Sequence, residues 1–270
     1  MMLSFATLRR FLVLCGVVTV LGFTSLSQAA TVLITGANSG IGLEFARQYA
    51  AKGWTVIATH RHSDTPASLA ELSAKFKNVR AERMDVQSPE EVHALAARMR
   101  GQPIDVLINN AGIFSLGDWL DRADNRQHFG TLDYASFDQF MEINVRGPLL
   151  VTESFIDNVR AGTQKKVISI TSTIGTISKP EIATNAFWYG ISKAALNKAT
   201  VTLAAVLKKD GITVVPMHPG AVRVEKQAAL SAPGMIETPD AVRAMIGTID
   251  SLTLKDTAKF TNYDGKNLPW

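Results

Sequence analysis

The chain has 270 residues, 46% hydrophobic and 19% charged, a balance that excludes intrinsic disorder and fits one large domain better than two. The formal charge is only +4. Arg9 and Arg10, upstream of every acidic residue, contribute to it, and no basic run is interleaved with aromatics, so nucleic acid is not expected as a partner. The one cysteine, Cys15, leaves residues 30–270 without a disulfide, a thiolate metal ligand or a catalytic thiol.

Residues 1–29 read as a targeting segment. Arg9-Arg10 closes a short n-region, Phe11 to Phe23 is apolar apart from Thr19, and Ser27-Gln28-Ala29 offers small residues where a signal peptidase cuts. The apolar run of about 13 residues falls short of the ~20 that span a bilayer. A signal cleaved after Ala29 or Ala30 is therefore expected ahead of a membrane anchor. The twin arginines before Phe11, Leu12 and Val13 also resemble a twin-arginine signal, with an ordinary secretory signal as the alternative. The expected location is the periplasm. Membrane contact arises only if the segment stays uncleaved, as an anchor with the domain facing the cytoplasm.

From Thr31 onward, short apolar runs alternate with longer amphipathic ones. Candidate strands are Thr31–Thr35, Thr55–Thr59, Val79–Met84, Val106–Ile108, Lys166–Ile170 and Thr213–Met217, with a short seventh near Lys259–Asn262. Helical patterns occupy Gly42–Lys52, Pro89–Arg100, Phe137–Val159 and Ser192–Lys208. Val- and Ile-rich strands followed by such helices argue for parallel strands with crossover helices. No Pro/Gly/Ser-rich linker interrupts the run. The expected fold is a single doubly wound α/β Rossmann domain over residues 30–270, with a parallel, seven-stranded sheet.

Thr35 to Gly42 reads T-G-A-N-S-G-I-G, directly after a strand and opening a helix. Glycines there allow a tight turn and close approach to a pyrophosphate, whose charge the amides of the helix N-terminus meet. Tyr189 and Lys193 are four apart, hence on one helix face. A free phenol titrates near ~10, and an ammonium one turn away lowers that value toward the range useful for proton transfer.

Further motifs follow in order: Asp85 and Val86 after the third strand, Asn109-Asn110-Ala111-Gly112 after the fourth, and Asn144 within I-N-V. Ser172 lies in I-S-I-T-S, Tyr189 to Lys193 reads Y-G-I-S-K, Pro219-Gly220 follows the sixth strand, and residues 262–270 read N-Y-D-G-K-N-L-P-W. With the T-G-x-x-x-G-x-G loop, this series resembles the short-chain dehydrogenase/reductases, in particular their C-factor-like and carbonyl-reductase-like branch, over Thr31 to Trp270.

The resemblance implies an NADP-dependent oxidoreductase that moves a hydride between the nicotinamide and a small-molecule carbonyl or secondary alcohol. It makes Tyr189 the acid or base, Lys193 the group that lowers its pKa and holds the nicotinamide ribose, and Ser172 the donor that polarises the substrate oxygen. Asn144 holds a relay water toward Lys193. Gly36, Asn38, Ser39, Gly40, Ile41, Gly42, Asp85, Val86, Asn110, Ala111, Gly112, Tyr189, Lys193, Pro219, Gly220 and Val222 are the implied cofactor contacts. At the end of the second strand the chain reads Thr59-His60-Arg61-His62. No acid is there for a ribose 2′-hydroxyl, and Arg61 offers a guanidinium for a 2′-phosphate, so NADP is expected ahead of NAD. Val224 stands where the related branch carries a threonine.

Ser115–Asp133 is an insertion, either a substrate-side lid or a plain surface loop, and Gly175–Phe187 reads as a loop over the site. The family pairs subunits through the helices bearing Asn144 and Tyr189, which implies a homodimer. His60, His62, His93, His128 and His218 lack metal-ligand spacing, so no metal is expected. The alternative to an oxidoreductase is a dinucleotide-binding, C-factor-like signalling protein or a pseudoenzyme with little turnover.

Overall fold

Alternate residues of each central strand face opposite layers of helices, so both faces of the sheet are covered. The computed structural model describes residues 29–114, 127–179, 186–224 and 234–270, and the targeting segment, Met1 to Gln28, lies outside them. The strands β1 (Thr31–Ile34), β2 (Thr55–His60), β3 (Val79–Arg83), β4 (Val106–Asn109), β5 (Lys166–Ile170), β6 (Thr213–His218) and β9 (Thr261–Asn262) form one parallel seven-stranded sheet in the order β3-β2-β1-β4-β5-β6-β9. This is a single α/β domain of Rossmann type. The order reverses between β1 and β4, the switch point where doubly wound sheets bind ligands.

The two-residue period of a strand decides which layer each side chain enters. Val32, Ile34, Ile108 and Val215 pack under α1 (Gly40–Ala51), α2 (Ala67–Lys75) and α8 (Thr238–Ser251). Leu33, Ile57, Leu107, Val167 and Val214 face α3 (Pro89–Arg98), α5 (Gly147–Ser154), α6 (Ile156–Ala161) and α7 (Phe187–Leu207). Among the described residues no helix is long and apolar enough to cross a membrane.

Two expectations about helices need correction, while the short seventh strand is present within the expected stretch. The helix expected over Phe137–Val159 is broken into α4 (Phe137–Met141), a π-helical turn over Glu142–Arg146, α5 and α6. Pro148, in the first turn of α5, has no N–H to continue an α-helical ladder, and Gly147 packs where a Cβ would lie 3.0 Å from Val86 Cβ. The helix expected from Ser192 starts five residues earlier, at Phe187, so Tyr189 is in its first turn. The seventh strand is only Thr261–Asn262, paired with Met217 and His218. A small second sheet, β7 (Val222–Arg223) with β8 (Ile236–Glu237), had no signal in the sequence because two-residue strands carry no period.

Candidate active site

The loop between β1 and α1 is held by backbone contacts that tolerate no side chain. Gly36 and Gly40 adopt φ +64 and +53, the left-handed region that glycine enters without strain. A Cβ on Gly36 would lie 2.9 Å from Ala111 Cα, and one on Gly42 would collide with Gly36 O and stand 2.5 Å from Asn110 Nδ2. Asn110 Nδ2 donates to Thr35 O (2.9 Å) and Gly36 O (3.1 Å), while the amides of Asn110 and Ala111 donate to Thr35 Oγ1 (3.0 and 2.9 Å). The two loops at the switch point are thus one braced unit.

Between them opens a cleft of about 460 Å³. Gly36, Asn38, Ser39, Ile41 and Gly42 form one wall, Arg61 with His60 and His62 one end, and Asp85, Val86, Asn110, Ala111 and Gly112 the other side. The N-cap of α1, Ser39, makes no side-chain capping bond, and no acid stands in the first turn. The first amides of α1 therefore face the cleft uncapped by side chains, an arrangement suited to a phosphate. Gly40 lies just outside this wall, where a Cβ would stand 3.3 Å from Val224 Cγ1. Pro219, Gly220 and Val222 follow β6, but of the described residues after that strand only Val224 lines the cleft. His60 is buried with Nδ1 unpartnered, and burial and the neighbouring His62 hold its pKa below the usual histidine range.

Ser172, Tyr189, Lys193 and Asn144 converge behind Gly112. Ser172, two residues past the end of β5, caps the 3-10 turn Thr173–Gly175, its Oγ accepting from Ile174 N at 3.2 Å. Gly175 brings that turn onto α7, since a Cβ there would stand 2.6 Å from Ala194 N. Lys193 Nζ lies 5.6 Å from the centre of the Tyr189 ring and donates to Ile170 O at 3.0 Å. Gly112 keeps the space open: a Cβ on it would lie 3.1 Å from Asn144 Oδ1 and 3.5 Å from Lys193 Nζ.

Asn144 occupies the π-turn, a local distortion frequent at functional sites. Its side chain is engaged with the protein. Nδ2 donates to Ile113 O (3.0 Å) and Ser192 Oγ (2.9 Å), and Oδ1 accepts from Ile113 N (2.9 Å). An α-helix would bring the amide of residue 148 to the Asn144 carbonyl, but residue 148 is proline. The side-chain amide of Asn144 is occupied by protein partners.

In the protein without cofactor the Tyr189 pKa lies on the opposite side of its ordinary value from the lowering expected of Lys193. Burial pushes the phenol up to about 12, and the Ser172 hydroxyl draws it only partly back. Burial also pulls Lys193 down to about 8. Lys193 Nζ is 5.6 Å from the ring centre, and burial is the cause of both displacements. Among the described residues no cluster of His, Cys, Asp and Glu could hold a metal.

A family model described as short chain dehydrogenase matches residues 30–234. The chain belongs to that family. It is 32% identical to the 1-hydroxy-2-glutathionyl-2-methyl-3-butene dehydrogenase of Rhodococcus sp. (strain AD45), over 89% of this chain and 100% of that one. It is 33% identical to the C-signal of Myxococcus xanthus, over 66% of this chain and 100% of that protein. The crystal structure of NADPH-bound carbonyl reductase from chicken fatty liver superposes with TM-score 0.80 at 28% identity, covering 90% of this chain and 100% of the other.

Two residues of this short-chain dehydrogenase site escaped the sequence reading. Phe114 lies two positions beyond Asn109-Asn110-Ala111-Gly112, and its ring meets Tyr189 edge-on with centroids 4.6 Å apart. Gln127, at the end of the insertion, reaches both Phe114 O and Tyr189 N. Neither belongs to a period or a motif. Residues 115–126 of the insertion and 180–185 of the Gly175–Phe187 loop lie outside the described part.

Proposed function

We propose that this short-chain dehydrogenase is an NADP(H)-dependent oxidoreductase interconverting a small carbonyl compound and its secondary alcohol. The observation that carries the reading is the convergence of Tyr189, Lys193, Ser172 and Asn144 behind Gly112, at one end of the glycine-walled cleft. NADPH, when bound, supplies the hydride, which is chemistry the cofactor brings with it.

The chain's own groups handle the proton and the charge. In reduction the Tyr189 phenol, kept protonated by its burial, gives its proton to the substrate oxygen as negative charge develops there. The Ser172 hydroxyl donates to the same oxygen and stabilises that charge. The Lys193 ammonium then faces a phenolate rather than a phenol, an opposite charge in a dry site, and lowers the cost of that state. A water between Asn144 and Lys193 provides the route by which the proton is replaced. Arg61, at the far end of the cleft, is the group for a 2′-phosphate, which favours NADP(H) over NAD(H); likeness to the NADPH-bound carbonyl reductase supports the same choice.

The reading includes export after removal of the N-terminal segment and a homodimer involving α7, on which Ile191 and Val206 are exposed. The test is NADPH consumption by purified protein with aldehydes, ketones and quinones, beside NADH and beside Tyr189→Phe. Turnover that prefers NADPH and disappears in Tyr189→Phe supports the proposal. NADPH binding with no turnover on any carbonyl moves the weight to a dinucleotide-binding signalling role, the reading favoured by the likeness to C-signal.

A further inference from the structure

The helix that carries Tyr189 begins without a cap of its own. Its N-cap is Ala186, which has no side-chain acceptor, and its first turn holds no acid. Elsewhere the chain solves this locally: Ser88 caps α3 by accepting from Glu91 N at 3.2 Å. Three amides into α7 stands Tyr189 itself, so an uncapped first turn would leave the phenol on the part of the helix that frays most readily.

The missing acceptors come from far along the chain. Gln127, buried with 4% of its surface exposed, accepts from Tyr189 N through Oε1 at 2.9 Å. Its main-chain oxygen accepts from Phe187 N at 3.2 Å. Its Nε2 donates to Phe114 O at 3.1 Å. The Trp188 indole adds a neighbouring tether, donating to Asp133 O at 3.0 Å. One amide side chain therefore ties the start of α7 to the loop after β4, where the Phe114 ring packs at a steep angle against that of Tyr189.

We propose that Gln127 is a positioning residue for Tyr189: it caps the helix bearing the phenol and seats Phe114 against the ring, so that the end of the insertion sets the geometry of the proton donor. The proposal rests on the reading of Tyr189 as the acid and base of a carbonyl reduction. It gives the insertion a part in the chemistry through a side chain that touches neither substrate nor cofactor. The phenol must be held to a fraction of an ångström for proton transfer, and a loosened first turn costs that alignment before it costs the fold.

The experiment compares Gln127→Met, similar in length but unable to make either side-chain bond, with Gln127→Glu, which keeps an acceptor for the Tyr189 amide but cannot donate to Phe114 O. Each is measured for kcat, KM, NADPH dissociation constant and Tm. In the cofactor-free protein the Tyr189 phenol is titrated by NMR of ring-labelled tyrosine, its signal assigned with Tyr189→Phe. The expected result for Gln127→Met is a kcat lower by on the order of tenfold, an NADPH dissociation constant within about twofold of wild type, and a Tyr189 titration shifted down because water reaches the ring. Gln127→Glu recovers most of the lost kcat. A Tyr189 titration unchanged in Gln127→Met overturns the proposal, as does a kcat loss matched by an equal loss of NADPH binding. If the wild-type protein turns over no carbonyl, the phenol titration still decides the positioning role, so the two failures are told apart.

Discussion

Lys193 is buried beside the half-buried Tyr189, its Nζ 5.6 Å from the ring centre and donating to the Ile170 carbonyl. The consequence is a pH dependence of stability in the cofactor-free protein. Burial pulls the Lys193 ammonium down to about 8 in the folded protein, against the ordinary lysine value of 10.5 in the unfolded chain. Between those values the unfolded chain holds the extra proton, so this group makes stability rise with pH across the window, and its penalty is complete below pH 8. Tyr189 does the opposite, with stability falling between 10 and about 12 as the unfolded phenol ionises first. Measured by denaturant unfolding, wild type should gain on Lys193→Met by on the order of 3 kcal/mol from pH 8 to 10.5. A difference constant across that window would show that the ammonium is not held dry.

Gly42→Ala tests the braced switch point. A methyl group there meets Gly36 O and Asn110 Nδ2, both backbone-anchored and unable to yield independently. The loop must move, and with it the wall of the cleft. NADPH affinity should fall by more than about tenfold, with a stability loss of about 1–3 kcal/mol from overpacking. Calorimetric titration reads the first and thermal unfolding the second. Unaltered affinity would mean that the loop does not carry the dinucleotide.

A third prediction separates fold from chemistry. Lys166 starts β5, buried to 5% exposure, and its Nζ donates to the last carbonyls of α8, Ile249 O at 2.6 Å and Asp250 O at 3.1 Å. These are helix C-terminal groups that need a donor and favour a cation. Lys166→Met leaves them uncovered and should cost about 1–3 kcal/mol, seen as a lower Tm with kcat unchanged. A fall in kcat at full stability would tie α8 to the site in a way the contacts do not indicate.

How legible the site was depends on what kind of signal each residue carries. Gly36, Gly42, Asn110 and Gly112 are fixed by backbone collisions that only particular residue types avoid, so their motif could be read directly. The strands were legible from Val and Ile runs buried on both faces. The break at Glu142–Arg146 was not, because one π-turn is too short to show a period of its own, and only Pro148 and Gly147 mark it. Gln127 was invisible for a different reason: its partners, Phe114 and Tyr189, lie 13 and 62 residues away, and a long-range bond between an amide and two backbone groups leaves no pattern in sequence. The raised pKa of Tyr189 was also beyond reach, since spacing places the lysine but says nothing of how dry the pair is.

If the proposed leader is removed, the edge of the sheet discriminates between its two candidate cleavage sites. Thr55 N donates to Ala30 O at 2.9 Å, and Thr31 N donates to Asp105 Oδ2 at 2.8 Å. Cleavage after Ala29 keeps both bonds. Cleavage after Ala30 keeps the second, with a new ammonium beside Asp105, but removes the acceptor of Thr55 at the first rung of β2. Thr55 is half-buried, so loss of its partner costs at most about 1–3 kcal/mol, and of the two small-residue sites the fold favours the first. Intact mass and N-terminal sequencing of exported protein should give Ala30 as the first residue. A chain retaining Met1 in the membrane fraction would refute cleavage altogether and leave the segment as an anchor.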